Sequence, residues 1–65
     1  MNYGIRIKEI REQVGMTQIE LSEKSGISQE HISRIENGHF TPNVKTADKL
    51  AEAMGVTLMD ILKEA

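Results

Sequence analysis

The chain has no cysteine, no tryptophan and a single proline, and Tyr3 and Phe40 are its only Tyr and Phe residues. Without cysteine, neither a disulfide nor a thiolate zinc site can brace the fold. With so few aromatic rings, the core has to be built from Ile, Leu, Val, Met and Ala. Uninterrupted apolar runs are too short for a membrane span or for the apolar region of a signal peptide. A cytoplasmic protein is therefore expected. An excess of positive charge is also missing: 8 Lys and Arg stand against 10 Asp and Glu, a net charge of −2. General attraction to phosphate is correspondingly weak. At 65 residues the chain is close to the lower limit for a self-sufficient core. One small domain, 1–65, is expected, stabilised by packing and with oligomerisation as a further source of stability.

What is present is helical patterning. Tyr3, Ile7, Ile10 and Val14 recur at helical spacing and make one apolar face, and Gly15 sits where a helix should end. Thr17 opens a second helix, and Glu20 stands where a capping box needs it. This helix is short, turns Leu21 inward and stops before Gly26. Ser28 caps a third helix that runs through Ile32 and Ile35 to the stop "ENG". "HFTPN" is a loop. Asn43 caps a fourth helix with Val44, Ala47, Leu50, Ala51 and Met54 inward, ended by Gly55. Thr57 opens a short fifth helix with Leu58, Ile61 and Leu62 inward. The pattern predicts an all-α, compact five-helix bundle. Its third helix turns Gln29, Glu30, Ser33 and Arg34 away from the isoleucines.

The spacing within residues 18–37 fits a helix-turn-helix. Small Ser22 lets the next helix approach, Gly26 supplies the turn, and Ile27, Ile32 and Ile35 seat the second helix of the pair. "MTQIELSEKSGISQEHISRIENG", followed by "TPNVKTADKLAEAMGVTLMDIL", resembles the Cro/repressor helix-turn-helix family of bacterial and phage regulators, also called the xenobiotic-response-element family. The likeness covers roughly Tyr3 to Leu62. It departs where Ser22 stands for the usual Ala, and in being less basic than many members. The resemblance implies a lambda-repressor-like bundle and a sequence-specific regulator of transcription, a repressor by expectation, with double-stranded DNA as partner. It implies that residues 28–36 are a recognition helix. Ser28, Gln29, Glu30, Ser33 and Arg34 would then meet base edges, where Gln suits adenine, Arg guanine and Glu the cytosine amino group. It implies phosphate contacts by Gln18, Asn37, His39, Asn43 and Lys45; the placing of the charges along the helices adds Arg6 as a further cation expected on the same face. It also implies that Arg11 and Glu36 pair to position the recognition helix without touching bases.

Blander readings compete. A polar helix stripe is ordinarily a solvated face, and Glu30 and Arg34 are spaced for a local ion pair worth roughly 0.2–0.5 kcal/mol. His31 and His39 lack a third ligand at sensible spacing, so no metal is expected. Ser28, Ser33 and His31 on a short helix have no pocket or oxyanion hole, so no enzyme is expected, nor a cofactor or small-molecule ligand. Met16, Met54 and Met59 read as core or interface filler, and Phe40 as packing over the loop. One recognition helix reads only a few base pairs, so a homodimer on a near-palindromic operator is expected, joined through Met54, Val56, Leu58, Met59 and Leu62. The acidic balance keeps open a second reading: a protein-interaction module, such as an antirepressor partner or an antitoxin, on the same fold with weak or no DNA binding.

Overall fold

The computed structural model describes residues 3–63, which form five α-helices: α1 Tyr3–Gln13, α2 Gln18–Ser25, α3 Gln29–Glu36, α4 Val44–Met54 and α5 Leu58–Leu62. Four of the helix starts are held by the residues that the sequence offers as caps. Thr17 Oγ1 accepts from Glu20 N while Glu20 Oε1 accepts from Thr17 N, and Thr57 and Asp60 repeat that reciprocal pair on α5. Ser28 caps α3 and Asn43 caps α4 through single bonds to His31 N and Thr46 N. Such caps are each worth about 1 kcal/mol. For helices this short they decide where the chain turns. Between α2 and α3 the turn is made by Gly26, in the left-handed conformation at φ 78°, its N–H donating to the Ser22 carbonyl. Only glycine enters that region without a steric cost.

The helices enclose one aliphatic core: Ile7, Ile10, Leu21, Ile32, Ile35, Leu50, Ala51, Met54 and Ile61. Helix α1 packs on α3, α4 and α5, while α2 packs on α3 and α4. Ile32 and Ile35, both fully buried, press α3 onto this body.

Three expectations of inward packing are corrected. Val14 is 44% exposed, because the chain leaves α1 through Gly15 and Met16 turns back against the core in its place. Val44 is 69% exposed. As the first residue of α4 it precedes the first buried position, Ala47, and the buried residue at that end of the helix is Pro42. On α5 Ile61 is fully enclosed and Leu62 packs against the core while half-buried, as expected, whereas Leu58 is half-buried outside the core cluster.

One polar group sits inside this aliphatic body. The Glu36 side chain is 1% exposed and the Arg11 side chain 11%. Arg11 Nε donates to Glu36 Oε2 at 2.7 Å and Nη2 to Oε1 at 3.0 Å, a two-pronged pair across 25 residues of chain. Arg11 Nη1 donates to the Met16 carbonyl at 2.8 Å. The hydrogen bond to Glu36 is the largest influence on Arg11 and holds its proton more firmly than usual, against the opposing effect of burial. Among the described residues no buried side-chain nitrogen or oxygen is left without a partner.

Breaking such a pair by removing one member leaves a buried charge, which costs about 3–5 kcal/mol. We expect Glu36→Leu or Arg11→Met alone to lose stability on that scale, and the double variant to be more stable than the sum of the two losses. Urea denaturation of the four proteins measures the coupling, and additive losses would contradict it. A second expectation concerns acid. The backbone N–H of Thr17 and then its hydroxyl hold the Glu20 carboxyl below its ordinary range, and Thr57 does the same for Asp60. A carboxylate favoured in the fold stabilises above its unfolded pKa and loses that effect as pH falls through the folded one. The stability gap between the native chain and Glu20→Ala should therefore be full at pH 7 and close progressively below about pH 4.3, the ordinary Glu value. Thermal melts across that range test it.

Candidate nucleic-acid interface

Because Ile32 and Ile35 fix one side of α3 to the core, the helical repeat turns Gln29, Glu30 and Arg34 to solvent, with Ser33 half-buried between them. Among the described residues none of Gln29, Glu30 and Arg34 has a hydrogen-bonded or ionic side-chain partner. The local Glu30–Arg34 ion pair anticipated from spacing is thus not formed. A pair worth a few tenths of a kcal/mol does not offset the entropy of fixing two long exposed chains.

The flanking polar residues behave differently. Ser28 Oγ accepts from His31 N at 3.2 Å and Asn37 Nδ2 donates to Ser33 Oγ at 3.3 Å. Asn43 Oδ1 accepts from Thr46 N at 2.8 Å, which leaves its Nδ2 end unengaged. Gln18, the first residue of α2, donates from Nε2 to Glu36 Oε1 at 2.9 Å. The His39 backbone N–H donates to the Arg34 carbonyl, and its side chain is exposed.

Two open depressions flank the ridge of Glu30 and Arg34. One is lined by Ser28, Glu30, His31 and Arg34. The other gathers Gln18, Gln29, Glu30, Ser33, Arg34, Asn37 and His39. Most of the residues singled out by sequence therefore share one surface, although Asn43 and Lys45 line neither depression. Lys45 is exposed in the first turn of α4. Arg6 is corrected: its Nε donates to the Asp60 carbonyl at 3.0 Å and its Nη1 lies 3.6 Å from Glu9, so it ties α1 to α5.

Some contacts carried no signal in the sequence. The His31 and Phe40 rings meet edge-on, with centroids 4.6 Å apart and planes at 63°. Phe40 thus packs on α3 while staying 44% exposed. At the other end of the molecule Met59 is 65% exposed, and Ile5, which the sequence pattern did not single out, is 51% exposed. Val56, Leu58 and Leu62 are half-buried there. Met54 is corrected as a joining residue: at 5% exposure it belongs to the core and offers almost no surface to a second chain. No described helix is long and apolar enough to cross a membrane.

Residues 7–61 match the helix-turn-helix family model of the Cro/C1 type. Among curated proteins, the immunity repressor of Bacillus phage phi105 is 34% identical over 64 residues, or 98% of this chain and 44% of that protein. The transcriptional regulator PuuR of Escherichia coli is 36% identical over 94% of this chain and 33% of its own length. An uncharacterised regulator of Sinorhizobium fredii, y4dJ, is 36% identical over 91% of this chain and 77% of its own. The chain thus spans less than half of the first two relatives. Among solved structures, the restriction–modification controller protein C.AhdI of Aeromonas hydrophila superposes with a TM-score of 0.87 at 25% identity, covering 92% of this chain and 91% of that one. With the family model spanning residues 7–61, the chain belongs to the Cro/C1-type helix-turn-helix family.

Proposed function

We propose that the chain is a sequence-specific DNA-binding regulator of transcription, a repressor that lays α3 in the major groove and acts as a homodimer inside the cell. The observation that carries this reading is the face of α3. Gln29, Glu30 and Arg34 are exposed and unpartnered, beside flanking polar groups that are already hydrogen-bonded. Free Gln and Arg side chains suit bidentate pairing with adenine and guanine, and Glu accepts from the cytosine amino group. Gln18, Asn37, His39, Asn43 and Lys45 serve the phosphates, which set register without reading sequence. A repressor of phage phi105 and PuuR among the relatives support the regulatory role.

Replacing Gln29 or Arg34 with Ala should cost about 1–3 kcal/mol on the preferred site and relax selectivity at one base pair. Selection from random-sequence duplexes followed by titration checks this. If no duplex is selected, the protein-interaction reading takes over, and the net charge of −2 favours it.

The dimer rests on the reach of one helix and on Met59, exposed on a helix whose core position is already filled by Ile61. Two copies would read half-sites about 34–36 Å apart. Met59→Lys should give folded monomers with most operator affinity lost. Sedimentation with and without operator decides it, and one chain per full operator would refute the dimer.

A further inference from the structure

The Glu36 carboxylate has two oxygens and three donors. Arg11 takes both oxygens, and Oε1 also accepts from Gln18 Nε2. An ionised carboxylate is an acceptor only, so it admits the N–H end of the Gln18 amide and excludes its carbonyl end. An unpartnered glutamine samples both orientations, but Gln18 is held in one, 2.9 Å from a side chain that is itself 1% exposed and clamped by a guanidinium. The held Nε2 keeps one further hydrogen, and the rim of the depression beside α3 includes Gln18.

We infer that Glu36, besides neutralising Arg11, is a positioning residue for DNA binding: it fixes the Gln18 amide in the free protein with a hydrogen left to donate to a phosphate. This rests on the reading of Gln18 as a phosphate contact. Two consequences follow physically. The side-chain ordering that a phosphate contact normally demands is complete before DNA arrives. And because Glu36 is the last residue of α3 while Gln18 is the first of α2, the backbone anchor and the reading helix keep one fixed spacing.

The test uses the full chain and the duplex selected above, with Gln18→Ala, Glu36→Gln and the double variant measured for affinity and for thermal stability. Gln18→Ala should weaken specific and random duplexes alike. Glu36→Gln should weaken binding by about 2- to 10-fold, as for one long side chain left to be ordered on binding. In the Gln18→Ala background the same change should cost markedly less affinity, the remainder reporting on the seating of α3 by Arg11, while most of its loss of thermal stability persists. An equal affinity loss in both backgrounds would mean that Glu36 acts through the fold alone and would overturn the inference. If Gln18→Ala itself leaves affinity intact, the phosphate contact falls and the inference with it, whereas the effect of Arg34→Ala still reports on docking. Should Glu36→Gln not fold, the native chain decides: ¹⁵N relaxation of side-chain amides should give Gln18 an order parameter near about 0.85 and Gln29 one below about 0.6. A Gln18 amide as mobile as that of Gln29 would refute the proposal.

Discussion

A carboxylate in an aliphatic interior sets the terms for this fold. Glu36 ends α3 at a point where α1 and the start of α2 also arrive, and a polar group buried there has to be hydrogen-bonded. Arg11 supplies the two-pronged contact from α1, and its third nitrogen fastens the Met16 carbonyl in the α1–α2 turn. Isoleucine packing decides which side of α3 faces the core, but burial is non-directional and tolerates small rotations of the helix about its axis. A guanidinium fork meeting a carboxylate is directional. Small rotations of α3 about its own axis decide where its outward side chains point, so the buried pair tunes the exposed face although it never reaches it.

On that face, order is distributed unevenly. Gln18, Ser28, Ser33 and Asn37 spend bonding capacity on the protein itself, and Gln29, Glu30 and Arg34 spend none. For Gln18 and Asn37 on one side and Gln29, Glu30 and Arg34 on the other, the division would match the two tasks of the proposed groove recognition, whereas Ser28 and Ser33, expected at base edges, fall on the bonded side. Phosphates recur at the same spacing along any duplex, so groups that meet them gain from being fixed in advance. Base edges differ from site to site, and the side chains that read them need rotamer freedom until the correct pattern of donors and acceptors is met. The edge-on contact of Phe40 with His31 extends the ordered part into the α3–α4 loop, which carries His39 and leads to Asn43.

The helices and most of the exposed face were legible in the sequence because both depend on local spacing. Caps at Thr17, Ser28, Asn43 and Thr57 are written within three residues of the group they serve, and the outward set on α3 follows from where Ile32 and Ile35 stand. The Arg11–Glu36 contact came from family resemblance and not from spacing, since 25 residues separate the two. The bond from Gln18 to Glu36, 18 residues apart, left no local trace at all. Errors fell at helix ends. Val14 and Val44 continue an apolar period that the chain abandons one residue later or has only begun, and Met54, which the period rightly turns inward, is too well covered to serve also as a joining residue. Arg6 was misplaced for the complementary reason: a cation next to a predicted face can instead be claimed by a carbonyl at the end of another helix.

The net charge of −2 takes on a different meaning once these positions are known. On α3 the exposed cation is Arg34, Lys45 is exposed on the first turn of α4, and the acid at the start of α2, Glu20, is turned back onto Thr17 as half of a capping box. In the proposed complex, amides such as Gln18 and Asn37 would hold phosphate without carrying charge. They would add affinity while releasing no counterions, and each neutralised phosphate avoided removes about 0.9 from the slope of log affinity on log salt. Weak general attraction also lowers the hold of random DNA, against which every specific site competes. A chain of this balance would bind DNA through geometry more than through charge. The geometry in turn depends on α3 being held at one rotation and on α2 presenting its first residue at a fixed distance from it, both of which come back to the same buried carboxylate.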